Sequence, residues 1–486
     1  MHILMATSEL APLAKTGGLA DVLGALPKAL AKLGHRVTVV MPFYRQIQAE
    51  KYGITLQGDW FAAYVSGRRI FGGLHTWEPV EGVTVYLVAQ DELYGRSGIY
   101  DDQQGGFGDN HLRFIFLSQA TLEVARRLNA AGTPPDVFHG HDWHVGLVPV
   151  YLREGRAGFR LPSVYSIHNM QYQGRFGRRV LFDAGLDDGY YQPNLLELYN
   201  TVSFMKAGLV FSEVLSTVSQ AYAREIQTSE YGHGLDGLLR ARTAELVGIV
   251  NGIDTEVWNP ATDVHLPAHY SRGDMDGKQL CRQALQQKFN LPVRDDVPIF
   301  GVVSRLVEQK GIELIGQVLP GLLANGAQVV VLGNGEARYE NLFRHYEQVA
   351  PRQVSAHIGF SEPLAHLIEA GADMFLMPSL FEPCGLNQLY SLRYGTLPIV
   401  RAVGGLDDTV QDFNPRTGWG NGFKFETYDG QGFWWAISRA LECYANRPLW
   451  RWLRESIMGR DYSWERAAQQ YVELYQRAQK SEQPGV

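Results

Sequence analysis

Short apolar runs of strand length alternate with longer stretches of helical spacing, and they do so twice along this chain. Ile3-Leu4-Met5-Ala6 reads as a buried strand, and Val22-Leu23-Gly24-Ala25-Leu26 opens a helix after it. Strands are expected at 37–41, 84–88, 136–139 and 163–167, with a long helix over 111–128 carrying Phe114, Leu117 and Leu122 inward. Near Val247 the pattern resets. Asn251-Gly252-Ile253-Asp254 leads into Trp258-Asn259-Pro260 and a loop-like stretch to about Pro267, the best candidate hinge. A second series follows, with strands at 299–303, 328–332, 374–377 and 397–400. Such alternation implies parallel sheets with helices on both faces, hence an α/β protein of two doubly wound domains. The predicted division is 1–247, 248–460, and a C-terminal segment 461–486. That segment is read as an amphipathic helix over 464–479 that packs back on the first domain, then a short disordered tail over 481–486.

Composition narrows the class. The formal charge of −7 argues against a general nucleic-acid coat protein. Cys281, Cys384 and Cys443 are far apart, with no CxxC pair, which disfavours a disulfide framework or zinc ribbon and fits a reducing compartment. The N-terminal apolar run lacks a preceding basic region, and no apolar stretch reaches membrane-spanning length. A cytoplasmic protein without membrane or nucleic-acid partners is expected.

In doubly wound sheets, ligands bind beyond the carboxyl ends of the strands, so the loops there carry the functional reading. Lys15-Thr16-Gly17-Gly18 lies where the first strand turns into a helix. Glycine permits a close backbone approach, helix-start N–H groups attract an anion, and Lys15 adds charge. A phosphate site is one reading; an ordinary tight turn with a solvated lysine is the other. Gly404-Gly405-Leu406-Asp407-Asp408 echoes Gly17-Gly18-Leu19-Ala20-Asp21, as a second phosphate turn or as coincidence. Arg305 and Lys310 follow the strand at 299–303; cations near a helix start are disfavoured unless an anion joins them, so the pair points to phosphate. Glu382 follows the strand at 374–377, placed to accept from sugar hydroxyls or to cap the next helix, and Cys384 reads as a packing thiol. His139-Gly140-His141-Asp142-Trp143-His144 looks metal-like, but His139 and His141 are expected on opposite sides of an extended segment. Asp142 and Trp143 suit a polar sugar contact and an aromatic wall. His168, at a strand end, either bonds a substrate hydroxyl or is structural. Gly333-Asn334-Gly335 lacks a third glycine, with Arg338 in its place, which argues against an NAD enzyme.

Taken in order, Ser8-Glu9, Lys15-Thr16-Gly17-Gly18-Leu19-Ala20-Asp21, His141-Asp142-Trp143-His144, His168-Asn169, Asn251-Gly252-Ile253-Asp254, Ser304-Arg305-Leu306, Gln309-Lys310-Gly311 and Phe381-Glu382-Pro383-Cys384-Gly385-Leu386 resemble the bacterial glycogen synthase and plant starch synthase family, glycosyltransferase family 5. The resemblance runs from about residue 3 to about residue 475. It implies two Rossmann-like domains facing a deep cleft, the GT-B fold, and retaining transfer of glucose from ADP-glucose to the non-reducing end of an α-1,4-glucan such as glycogen. By the same match, Lys15, Gly18, Arg305 and Lys310 hold the donor phosphates, with Gly17, Gly404 and Gly405 as further substrate contacts. Asp21 lies near the ribose and Phe360 against the adenine. Glu382, Cys384 and Gly385 line the glucose with His168 and Asn251, Leu386 is a further substrate contact, and Tyr100 and Asp142 lie near sugar and acceptor. Glu382, Arg305, Lys310, Lys15 and His168 form the expected catalytic set. Val307, Val403 and Asp407 depart from the family pattern without removing a phosphate-binding charge. Fixed cations stabilise a leaving diphosphate as a metal does elsewhere, so neither metal nor cofactor is expected.

Overall fold

The computed structural model describes residues 1–102 and 105–481; of the expected tail over 481–486, all but Ser481 lies outside them. The chain forms two compact units, Met1–Ile249 with the segment from Trp464 onward, and Val250–Ser463.

The first unit is built on one nine-stranded sheet. Its strands are β1 (His2–Ala6), β2 (Arg36–Pro42), β3 (Thr55–Val65), β4 (Arg68–Val80), β5 (Val83–Ala89), β6 (Val137–His141), β7 (Ser163–Ile167), β8 (Val214–Thr217) and β9 (Leu246–Gly248). They lie in the order β9-β8-β7-β6-β1-β2-β5-β4-β3. From β9 to β5 every pairing is parallel; β3–β4 and β4–β5 are antiparallel. Strands buried on both faces read as unbroken apolar runs, as residues 3–6 of the fully buried β1 do. The strand order reverses between β1 and β6, so the loops leaving these two strands flank the crevice where such sheets bind ligands. The helix Glu465–Lys480 belongs to this unit, and its Tyr475 hydroxyl bonds His139 on β6 at 2.9 Å.

The second unit has a six-stranded parallel sheet: β10 (Ile299–Val303), β11 (Gln328–Gly333), β12 (Val354–Ile358), β13 (Met374–Met377), β14 (Leu397–Arg401) and β15 (Phe423–Phe425). The order is β12-β11-β10-β13-β14-β15, reversing between β10 and β13. Apolar cores cover both faces. Leu319, Phe343 and Phe433 belong to one, and Leu285, Ile368 and Leu406 to the other.

The β3–β4 hairpin was not expected from the sequence. Its outer face carries exposed Trp60, Tyr64 and Phe71, so apolar residues stand on both faces and the alternation that marks a half-buried strand is weak.

Candidate active site

In the first unit the loop after β1 is organised by Glu9. Its buried carboxylate accepts from the Thr16 N–H at 2.6 Å, the Thr16 hydroxyl at 2.7 Å, the Gly17 N–H at 3.1 Å and the Tyr100 hydroxyl at 2.6 Å. Two backbone donors near the helix start Gly18–Lys32 therefore already bond a protein anion. Lys15 Nζ lies 2.6 Å from Asp21 Oδ1, so the predicted phosphate cation and the predicted ribose carboxylate form an ion pair. Gly17 and Gly18 face open space, since a Cβ on either would meet nothing within 4 Å. Nothing in the fold itself demands glycine there. Gly18→Ala is therefore expected to change stability by no more than about 1 kcal/mol, the scale of helix propensity. Thermal unfolding of the variant beside wild type reads that change.

The echo at Gly404-Gly405 has another cause. A Cβ at Gly404 would stand 2.0 Å from the Glu382 carbonyl oxygen, and one at Gly405 would stand 2.1 Å from that of Cys384. Gly405 N–H also bonds the Glu382 carbonyl at 3.1 Å. This pair lets two backbone segments cross and thereby fixes the Glu382 loop.

Asp142 leaves β6 with φ 60° and ψ 178°, a conformation nearly reserved for glycine and costing about 1–3 kcal/mol. Its carboxylate accepts the His168 N–H at 2.8 Å. Burial raises the Asp142 carboxyl to about 7, with backbone N–H groups of His168 and Asn169 opposing the rise. The folded state thus favours the protonated form, so this group lowers stability as pH rises from about 4, the unfolded value, to about 7. Asp142→Asn removes that ionisation. The difference in unfolding free energy between variant and wild type should grow across this window, toward a limit of about 4 kcal/mol at 1.36 kcal/mol per unit. A pH-independent difference contradicts it.

His139 and His141 share one face of β6, with ring centroids 3.9 Å apart. The expectation of opposite sides fails because residues two apart along a strand point the same way. His168 Nε2 lies 3.0 Å from His141 Nδ1. Among the described residues no His, Cys, Asp or Glu cluster suits a metal ion. Beside these groups is a cleft of about 430 Å³, lined by Trp143, Gln171, Tyr172, Gln173, Arg175 and His233. Trp143 forms its aromatic wall. Tyr100 stacks on His144 at 4.8 Å, and burial followed by the Glu9 charge keeps its hydroxyl protonated.

In the second unit, the loops leaving β10 and β13 meet at the switch point. Leu380 N–H bonds the Gln309 carbonyl at 2.9 Å, and Asn387 Nδ2 bonds the Val303 carbonyl at 2.6 Å. A Cβ at Gly311 would stand 2.0 Å from the Pro378 carbonyl oxygen. This interlock brings Lys310 Nζ to 2.6 Å from Glu382 Oε2, which also accepts from Ser379 Oγ at 3.1 Å. Arg305 is exposed beside them, its guanidinium 3.4 Å from Gln309 Oε1. Cys384 is buried, its thiol pushed up to about 12 by burial while Asn251 opposes the rise; it is no nucleophile at neutral pH. Asn251 Oδ1 is buried with no bonding partner. Gly385, at φ 69°, and Leu386 lead into the helix Asn387–Arg393. Phe360 stands 79% exposed beyond β12, at the outer edge of the sheet and away from the switch point.

Residues 2–241 match the family model of the starch synthase catalytic domain, and residues 284–451 that of the group 1 glycosyl transferases. The glycogen synthase 1 of Geobacter sulfurreducens is 46% identical over 98% of this chain and 96% of its own. The glycogen synthase of Anaeromyxobacter dehalogenans is 48% identical, covering 98% of each chain. The chain belongs to the glycogen and starch synthase family. It is a glycosyltransferase with the GT-B fold. The catalytic domain of starch synthase IV from Arabidopsis thaliana, solved with ADP and acarbose, is 34% identical with a TM-score of 0.90, covering 98% of this chain and 99% of that one. Among the described residues no helix is long and apolar enough to cross a membrane. Sequence reasoning passed over Glu9 as an organising group of this family site. The signal available was an acidic residue directly after the first strand, at the carboxyl end where such sheets bind ligands.

Proposed function

We propose that this glycosyltransferase moves glucose from ADP-glucose to the non-reducing end of an α-1,4-glucan, with retention, in the cytoplasm. The observation that carries the reading is the grouping of Arg305, Lys310 and Glu382 at the switch point of the second sheet, two cations and a carboxylate where a nucleotide sugar needs both. In that unit Arg305 and Lys310 take the diphosphate, Phe360 the adenine, and Glu382, Asn251, Cys384, Gly385 and Leu386 the glucosyl group, with Gly404 and Gly405 holding the Glu382 loop. In the first unit Lys15, Gly17 and Gly18 serve phosphate and Asp21 the ribose. Tyr100, Asp142 and His168 serve sugar and acceptor, and Trp143 walls the glucan. The three buried free cysteines fit a reducing interior.

Charge develops on the departing phosphate oxygen, and fixed cations stabilise it without reorganising. Glu382 Oε2 is engaged by Lys310 and Ser379, which lowers its nucleophilicity. The acceptor hydroxyl therefore attacks on the leaving-group side, and the phosphate takes its proton. Mass spectrometry during turnover should find no glucosyl adduct on Glu382; a trapped adduct contradicts this route. Activity should survive EDTA. Growth at the non-reducing end is tested with radiolabelled donor. β-Amylase should release the new label as maltose, whereas label left in the limit dextrin rules out that end.

A further inference from the structure

We infer that His141 is a positioning residue that fixes His168 as the Nδ1–H tautomer, so that His168 is a hydrogen-bond donor to the glucosyl group or acceptor and never a general base. This rests on the proposed function for the placement of substrate near His168.

His141 Nδ1 and His168 Nε2 face each other at 3.0 Å, so one proton lies between them. Burial holds both imidazoles in the neutral form, His168 down to about 3 and His141 well below the ordinary histidine range. Each ring then carries one proton, and two arrangements exist. In the first, His141 Nδ1–H donates to His168 Nε2, which leaves His141 Nε2 as a bare lone pair and puts the His168 proton on Nδ1. In the second, His168 Nε2–H donates, and His141 must carry its proton on Nε2. That nitrogen is buried and has no bonding partner. A buried N–H without an acceptor is among the rarest defects in folded proteins, and an acceptor without a donor is less so. The first arrangement follows.

The surroundings lock it. His139, its ring tilted against that of His141, has both nitrogens engaged, Nδ1 with the Tyr475 hydroxyl at 2.9 Å and Nε2 with Ser166 Oγ at 2.6 Å, and neither is offered to His141. The His168 backbone N–H is held by Asp142 at 2.8 Å, which fixes the origin of its ring. His168 Nδ1 already bears its proton and cannot take one from an attacking hydroxyl. The orientation of His168 is thus set from β6 by a residue that touches no substrate.

The test is long-range proton–nitrogen correlation on the full chain labelled with ¹⁵N-histidine, with His168 assigned by its loss in His168→Gln. Nδ1 of His168 should show the shift of a protonated nitrogen and Nε2 that of an unprotonated one, at every pH from 6 to 8. The reverse pattern overturns the inference, whatever the enzyme's activity. His141→Asn keeps an N–H donor close to the original Nδ1, and His141→Leu removes it. The leucine variant should show a mixture of His168 tautomers and lose about 10- to 100-fold in kcat/KM, while asparagine restores the Nδ1–H form and most of the activity. Equal losses with unchanged tautomers would reduce His141 to a packing residue. An enzyme that transfers no glucose from ADP-glucose yet shows the tautomer would sink the functional reading alone.

Discussion

Lys310→Ala is expected to lower kcat/KM by at least 10²- to 10³-fold, the scale of one fixed donor to a developing oxyanion. Two losses combine. In the role proposed for Lys310, the leaving diphosphate loses a point charge. Glu382, whose side chain is 8% exposed, loses its ion-pair partner and retains only Ser379 on that oxygen. Breaking a buried pair from one side costs about 3–5 kcal/mol because the remaining charge stays uncompensated; Lys310, at 21% exposure, keeps some solvent, so the lower end applies. Glu382→Gln in the Lys310→Ala background removes the stranded charge. The double variant should therefore recover stability in denaturant melts without recovering turnover. A single variant within tenfold of wild type would mean that Lys310 serves only to neutralise Glu382.

Glu9→Gln is the second large effect. The carboxylate accepts four hydrogen bonds, two of them backbone N–H groups of the glycine turn. An amide supplies one acceptor oxygen and presents an NH₂ to donors on the other side. Bonds to a charged acceptor are worth about 1.5–3 kcal/mol each, and at least two are lost or inverted, so destabilisation of about 3 kcal/mol or more is expected. The turn carrying Lys15 and Gly18 should loosen with it. Hydrogen exchange at 15–19 should rise and donor KM should increase, while exchange in the second unit stays unchanged. Unaltered exchange would show that the helix start holds the turn by itself.

These two sites mark the boundary of what was legible from residues. The Lys310 and Glu382 loops could be found because β10 and β13 are short apolar runs with polar ends, and the carboxyl ends of such strands are where ligands bind. Their contact at 2.6 Å could not, since it depends on Gly311 meeting Pro378 across two loops 67 residues apart in the chain. The two glycine pairs look alike in sequence and differ in cause: open space at Gly17-Gly18, backbone crossing at Gly404-Gly405. Glu9 escaped because two of its four donors are backbone N–H groups, which carry no sequence signal, and another, Tyr100, stands 91 residues away in the chain. The β3–β4 hairpin escaped because Trp60, Tyr64 and Phe71 put apolar residues on its outer face. The histidine row was misjudged by a period error that strand geometry corrects.

Nucleoside diphosphate release is the direct readout of the proposed glucosyl transfer from ADP-glucose to a glucan. ADP-glucose and UDP-glucose are each supplied with and without glycogen. ADP release that depends on glycogen is expected, with UDP-glucose far slower. Release from neither donor, by a folded protein that still binds glycogen, would contradict it.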